Sequence, residues 1–403
     1  MNIHPFAAVR PTKADAALVA SVPYDVVDTA EAKTLAAGNP KSFLHVSRPE
    51  IDLPAGTDCS SPEAYAQARK ALDALRANGT LVKDDAPKFY AYRQTMGSHS
   101  QTGIVACFDT QDYLAGVLKQ HEKTRKDKED DRTRHIETLE AHTGPAFLTY
   151  RDDRAIDDIV ALACRNEPLY DFVAPDGIGH TVWEIASTAP GGCTACLADE
   201  LVELFARIPV AYIADGHHRS AAASRYAKER NFAGESRWFM ATIFPASQLK
   251  ILAYNRYVAD LNGLTDEEFL AKLGEVFTIG AKGERNCRMY FRGKWTDLSW
   301  KLPADAGVVE KLDVSYLQDR FLAPVLGIGD PRTDKRIAFM GGIRGDAELA
   351  AKVDSGAAAV AFAMEPVTVE EMMAIADAGA IMPPKSTWFE PKLRSGLFVH
   401  DVK

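Results

Sequence analysis

Residues 208–230 read IPVAYIADGHHRSAAASRYAKER, and this stretch limits the possible folds more than any other. IPVAYIA (208–214) is an apolar run of strand length. SAAASRYAKER (220–230) has helical character, so the Asp-Gly between them predicts a tight turn from strand to helix. The helix is expected to open at about His218 to Ser220.

The same alternation runs through the rest of the chain. SSPEAYAQARKALDALRANG (60–79) predicts a helix capped by Ser61, with Pro62 in its first turn and Gly79 ending it. Tyr65, Ala68, Leu72 and Leu75 give it one apolar face. KFYAYRQ (88–94) and TGIVACF (102–108) predict two strands joined by the polar turn MGSHSQ. AAAVAFAM (357–364) predicts a buried strand, and Thr368 with Glu371 a capping box for a helix that Gly379 ends. VPYDVV (22–27) and NPKSFLHVSRPE (39–50) read as strands with turns. The class is therefore mixed α+β. At 403 residues, two or three domains are expected. The regions are 1–150, 151–262 and 263–403, with breaks sought near 189–193 and 260–265, unless the three form one interwoven unit.

The composition excludes several classes. The formal net charge of −9 argues against nucleic acid as a partner, because a phosphate backbone calls for a basic surface. No apolar span of about 20 residues suggests a membrane helix. The start, MNIHPFAAVRPTKADAA, lacks the charged-then-apolar layout of a signal peptide, so a cytoplasmic location is expected. Six cysteines over this length fit reduced thiols. Cys193 and Cys196 form a lone C-x-x-C, which without a second pair reads as a loop rather than a zinc or redox site.

The DGHHR turn carries chemistry. A helix start favours negative charge, and Gly216 lets backbone approach a ligand closely. Arg219 offers a planar fork for phosphate, while His217 and His218 add donors that titrate near neutrality. Small residues after Ser220 let the helix pack closely. Together these features describe a phosphate-binding turn. A metal site fits less well, since adjacent histidines rarely converge on one ion. A capped, solvated turn is the plain alternative. No G-x-x-x-x-G-K-[ST] occurs, which argues against a P-loop.

DGHHR after a strand and before an Ala-rich helix resembles the signature of the ParB/sulfiredoxin superfamily, and its spelling is most similar to that of free-serine kinases. Across nearly its full length the chain resembles domain-of-unknown-function family 1015, through VPYDVV, NPKSFLHVSRPE, HEKT (121–124), ADGHHR (214–219) and MPPKSTWFEPK (382–392). The resemblance implies a ParB/sulfiredoxin-like nucleotide-binding core with additional α/β segments. It also implies a phosphotransferase acting on a small hydroxyl-bearing metabolite, with free serine foremost. Nucleotide phosphates would rest on Gly216, His217, His218, Arg219 and Ser220, with ADP or ATP as donor and Mg²⁺ neutralising charge.

A kinase acting on an alcohol needs a carboxylate at the attacking hydroxyl. Glu122 is assigned that role, and Asp215 is the alternative base or the Mg²⁺ ligand. His218 joins them as a catalytic candidate. His121, Thr124 and Arg48 are substrate-binding candidates, and Lys385 in MPPKST is a phosphate-binding one. The charged run QHEKTRKDKEDDRTR (120–134) otherwise reads as a solvated helix face. Trp388 and Phe389 either line a cleft or dock the Pro-rich segment on the core. Three alternatives stand beside the kinase: a nucleotide or amino-acid sensor without turnover, a phosphoserine hydrolase, and a ParB-like DNA-binding protein. The last would need a basic stripe that the sequence lacks.

Overall fold

The computed structural model describes residues 1–185 and 197–403, which divide into two compact units. Unit 1 holds Met1–Lys119, Lys123–Leu249 and Pro391–Lys403, and unit 2 holds Gln120–Glu122 and Lys250–Glu390. This division differs from three consecutive regions. The main crossing falls at Leu249 and Lys250, and the C-terminal tail returns to unit 1. The physical reason is pairing with the start of the chain: Val9 N–H donates to Val399 O at 2.9 Å, and Ser21 bridges to Ser395. The break expected at 189–193, with Cys193 and Cys196, lies outside the described residues.

Unit 1 is built on a nine-stranded mixed sheet. In chain order its strands are β1 (Ile3–His4), β2 (Phe89–Met96), β3 (His99–Asp109), β4 (Leu118–Lys119), β5 (Ala146–Tyr150), β6 (Tyr170–Val173), β7 (Gly179–Ile185), β8 (Ala211–Asp215) and β9 (Trp238–Pro245). The spatial order is β4-β8-β5-β9-β3-β2-β7-β6, with β1 on β3. β8 runs parallel to β4 and antiparallel to β5, while β5 and β9 are parallel. β2 and β3 pair out to Met96 and His99 across Gly97 at φ +59°, so both strands run deep into the polar MGSHSQ segment.

Three helices matter to the site: α1 (Pro62–Ala77), α2 (Lys126–Leu139) and α3 (His217–Glu229). Ser61 caps α1 by accepting the Ala64 N–H, and Tyr65, Ala68, Leu72 and Leu75 are all buried. Each large side chain of that face stabilises the unit by about 2 kcal/mol. α2 arises from the charged run, and only one of its faces is solvated. Asp131, Thr133, His135, Ile136 and Leu139 point inward. Arg225 of α3 ties the two helices together through Asp130 of α2 at 2.5 Å.

VPYDVV and NPKSFLHVSRPE hold no strand, contrary to the alternating pattern. Residues 22–27 are turn and coil. Leu44–Ser47 is a helical turn, and Pro49–Asp52 is a 3-10 turn. Pro23 removes a ladder donor, and Asp28 caps the helix Thr29–Ala36 by accepting the Glu31 N–H, which turns the chain away from extended geometry.

Unit 2 contains an all-antiparallel six-stranded sheet of β10 (Tyr254–Val258), β11 (Thr278–Ile279), β12 (Arg285–Phe291), β13 (Lys294–Trp300), β14 (Ile337–Gly341) and β15 (Val360–Met364). β15 is buried at every position and lies between β12 and β10. The Thr368–Glu371 capping box opens the helix Val369–Asp377, as its spelling predicts. Among the described residues no helix is long and apolar enough to cross a membrane.

Candidate functional site

β8 ends at Asp215, Gly216 adopts φ +87°, and α3 opens at His217, one residue before the expected start. The left-handed Gly216 makes this abrupt change of direction possible. A Cβ there would lie 3.2 Å from Ala146 Cα and 3.0 Å from Arg219 Nε. Ser220 N–H makes the first helical bond, to Gly216 O at 3.0 Å, so Gly216 to Arg219 forms the positive end of the helix dipole. Ala221, Ala222 and Ala223 are buried, which lets α3 lie close against the sheet.

The polar groups of this turn are held firmly. Asp215 Oδ1 accepts the Gly216 N–H at 2.7 Å, and Oδ2 accepts from Lys392 Nζ at 2.8 Å. Arg219 Nη2 stands 3.9 Å from Asp215 Oδ1, and its Nη1 donates to Pro145 O at 2.5 Å. Burial opposes ionisation of Asp215, but Lys392 and Arg219 outweigh it and hold the carboxyl well below the usual range. The result is a permanent carboxylate between two cations. This geometry makes Asp215 an ion-pair carboxylate. His217 is buried, and desolvation lowers its pKa to about 4, leaving the imidazole neutral. His218 Nε2 accepts the Arg125 N–H at 3.1 Å, which fastens the loop before α2 to the start of α3.

The residues expected at the site fall into two groups. Asp215 to Ser220, Thr124 and Arg48 belong to unit 1; His121, Glu122 and Lys385 belong to unit 2. Arg48 is engaged within its own loop. Its Nε lies 2.8 Å from buried Glu50, its Nη1 donates to Tyr24 O at 3.2 Å, and its Nη2 donates to Thr29 Oγ1 at 3.0 Å. Lys41 likewise pairs with Asp15 at 2.6 Å. In unit 2, His121 is buried, with Nε2 3.1 Å from Thr387 Oγ1. Glu122 is half-buried and makes no hydrogen bond or ion pair among the described residues. Lys385 sits at φ +56° with its ammonium 5.5 Å from the Tyr254 ring centre. Trp388 packs edge-on against Tyr254 and over Gly341, so it docks its segment on the unit 2 core.

Sequence reasoning missed two cations of unit 1. Lys392, the last residue of the MPPKSTWFEPK motif, is the lysine beside Asp215. Arg132, inside the charged run, stacks 4.0 Å from the Tyr24 ring centre. A motif-bound lysine was visible as a signal; its pairing across 177 residues was not.

A Mg²⁺ at Asp215 would meet two cations, because Lys392 and Arg219 already flank the carboxylate. Among the described residues no three His, Cys, Asp or Glu side chains converge as metal ligands.

A strand, a left-handed glycine and the positive end of a helix, with an arginine and a lysine at hand, make a mixed α and β protein with a turn whose charge suits an anion. The sequence matches the model of the family described as "Protein of unknown function (DUF1015)" over residues 3–315, and the chain belongs to that family. No curated protein matches it. Among solved structures it is similar to a free serine kinase in complex with AMP (15% identity, TM-score 0.37, 74% of this chain and 91% of that one). It is also similar to SbnI with a C-terminal truncation from Staphylococcus aureus (11%, 0.39, 73% and 87%). A conserved hypothetical protein from Pyrococcus furiosus is a third (15%, 0.36, 74% and 97%). At this distance the likeness assigns neither activity nor ligand to this chain.

Proposed function

We propose that the chain is a phosphotransferase that binds a nucleotide at the DGHHR turn and acts on a small hydroxyl-bearing metabolite, with free serine foremost. The observation that carries this reading is the Gly216 turn, where the helix dipole, Arg219 and Lys392 present positive charge around one fixed carboxylate. Such a site suits a polyphosphate, and its rigidity supplies positioning and electrostatic stabilisation without reorganisation. It also supports the resemblance to the ParB/sulfiredoxin superfamily. A nucleotide diphosphate or triphosphate, ADP or ATP, would lie along Gly216 to Ser220. Neutral His217 and His218 can donate to phosphate oxygens without adding charge. The proton-accepting role falls to Glu122, which the HEKT motif singles out and which has no ion-pair partner among the described residues. Asp215 orients Arg219 and Lys392 rather than taking a proton. Mg²⁺ enters no step.

The test is calorimetric titration of ADP, ATP and CTP, paired with a phosphoserine assay on L-serine. Arg219→Ala is expected to weaken nucleotide binding roughly tenfold or more, the worth of a charge-assisted contact. Glu122→Gln is expected to leave affinity intact and abolish phosphoserine formation. Unchanged nucleotide affinity in the Arg219 variant would refute the phosphate turn. Nucleotide binding with no turnover on any acceptor would leave a sensor in place of the enzyme.

A further inference from the structure

Beside the turn, unit 1 holds a half-open cavity of about 40 Å³ lined by Tyr24, Ser47, Arg132, His142, Arg219 and Ser395, with an apolar floor. Among the described residues no carboxylate lines it. The Asp131 carboxylate that pairs with Arg132 at 2.6 Å is already held by Tyr65 and Ser60 hydroxyls at 2.7 and 3.0 Å. The cavity wall therefore carries two guanidinium groups and, among the described residues, no opposing anion.

Three buried donors of residues that line this cavity have no hydrogen-bond partner among the described residues: Ser47 Oγ, His142 Nε2 and Arg219 Nε. Ser47 and His142 are each only 6% exposed. His142 Nδ1 accepts the Met240 N–H at 3.4 Å, so Nε2 carries the ring proton. Burial keeps this imidazole neutral and a donor. Unpaired buried donors are costly, and several on one cavity with two arginines indicate a missing acceptor.

Size selects among acceptors. One water needs roughly 10–15 Å³ of such volume, so the cavity takes about three water-sized atoms. A carboxylate has three heavy atoms and a phosphate has five.

We propose that this cavity is a carboxylate subsite, in which Ser47, His142 Nε2 and Arg132 hold the carboxylate of a small hydroxy acid or amino acid. Arg219 lines the cavity while also flanking the Gly216 turn, so it adjoins both ligands. The subsite names the class of the acceptor and rests on the phosphotransfer reading for that word alone; carboxylate binding stands on the cavity itself.

The experiment is calorimetry on the full chain with L-serine, glycolate, ethanolamine and inorganic phosphate, each alone, alongside ADP. L-Serine and glycolate should bind and ethanolamine should not. Ser47→Ala should weaken both carboxylates roughly tenfold and leave ADP affinity unchanged. Without ligand, Ser47→Ala should unfold at the same temperature or higher, because it deletes an unpaired buried hydroxyl. His142→Gln, which keeps an N–H donor, should retain more carboxylate affinity than His142→Leu. Equal binding of glycolate and ethanolamine, tighter binding of phosphate than of glycolate, or an unaffected Ser47 variant would each overturn the subsite. So would the pattern of a water-filled cavity, in which carboxylates fail to bind and Ser47→Ala lowers the unfolding temperature. Carboxylate binding that depends on Ser47 without any ADP binding would instead overturn the nucleotide reading and leave the subsite standing.

Discussion

The Asp215–Lys392 pair ties the returning tail to the DGHHR turn. Both side chains are largely buried, at 26% and 13% exposure, so neither charge is well screened by water. Lys392→Met should destabilise unit 1 by about 2–4 kcal/mol, since it strands a buried carboxylate beside Arg219 alone. Lys392→Met with Asp215→Asn should recover part of that loss, because an amide is cheaper to bury than a lone charge. Urea unfolding of the three variants checks this, and equal midpoints for single and double variants would argue against the ion pair. The pair was beyond sequence reading for a physical reason. DGHHR announces its chemistry through residue type and local geometry, whereas the partner of Asp215 is set by the return of the tail. Lys385 and Lys392 offer the same charge in one motif, and only the fold distinguishes them.

Elements whose signals are local were legible. The caps at Ser61 and Thr368, the apolar face of α1 and the strand before DGHHR are all written in neighbouring residues, and each forms where expected. VPYDVV was misread as strand because its apolar residues do not reveal that Pro23 and the Asp28 cap bend the chain. The charged run before Leu139 hid a buried face, since Asp131, Arg132 and His135 look solvent-bound by type. Gly216 is the element-scale constraint on β8 and α3. Gly216→Ala forces a Cβ into the left-handed region and to within 3.2 Å of Ala146 Cα. It should cost about 1–3 kcal/mol and displace Arg219. Thermal unfolding and nucleotide titration of the variant read both effects. A fully stable variant with normal affinity would mean that the turn tolerates another path.

The two units should answer pH with opposite signs. In unit 1, burial lowers the pKa of His135 to about 3, of His180 to about 3 and of His217 to about 4. These imidazoles are neutral when folded and take up protons on unfolding. Their stabilisation is full above pH 6.5 and declines as pH falls towards the folded values, by up to about 1.4 kcal/mol per pH unit for each. In unit 2, burial raises Asp313 to about 7, with Arg285 only partly opposing it. Its contribution runs the other way, fullest below about pH 4 and lost as pH rises towards 7. Hydrogen exchange at pH 7 and pH 5 should therefore show protection falling in the unit 1 sheet and holding or rising around Asp313. Parallel changes in both units would contradict the burial of these groups.

The return of the tail also governs when the site comes into being. Asp215 and Lys392 are 177 residues apart. At roughly 5–20 residues per second, the ribosome delivers the lysine about 10–35 seconds after the aspartate. All of β10 to β15 is synthesised in that interval. A nascent chain thus carries β8 and α3 with Arg219 beside the carboxylate but without Lys392, which joins the turn only after the whole of β10 to β15 has been made. Chains released early hold every residue of DGHHR, with Arg219 and the helix dipole, but lack the lysine that flanks its carboxylate.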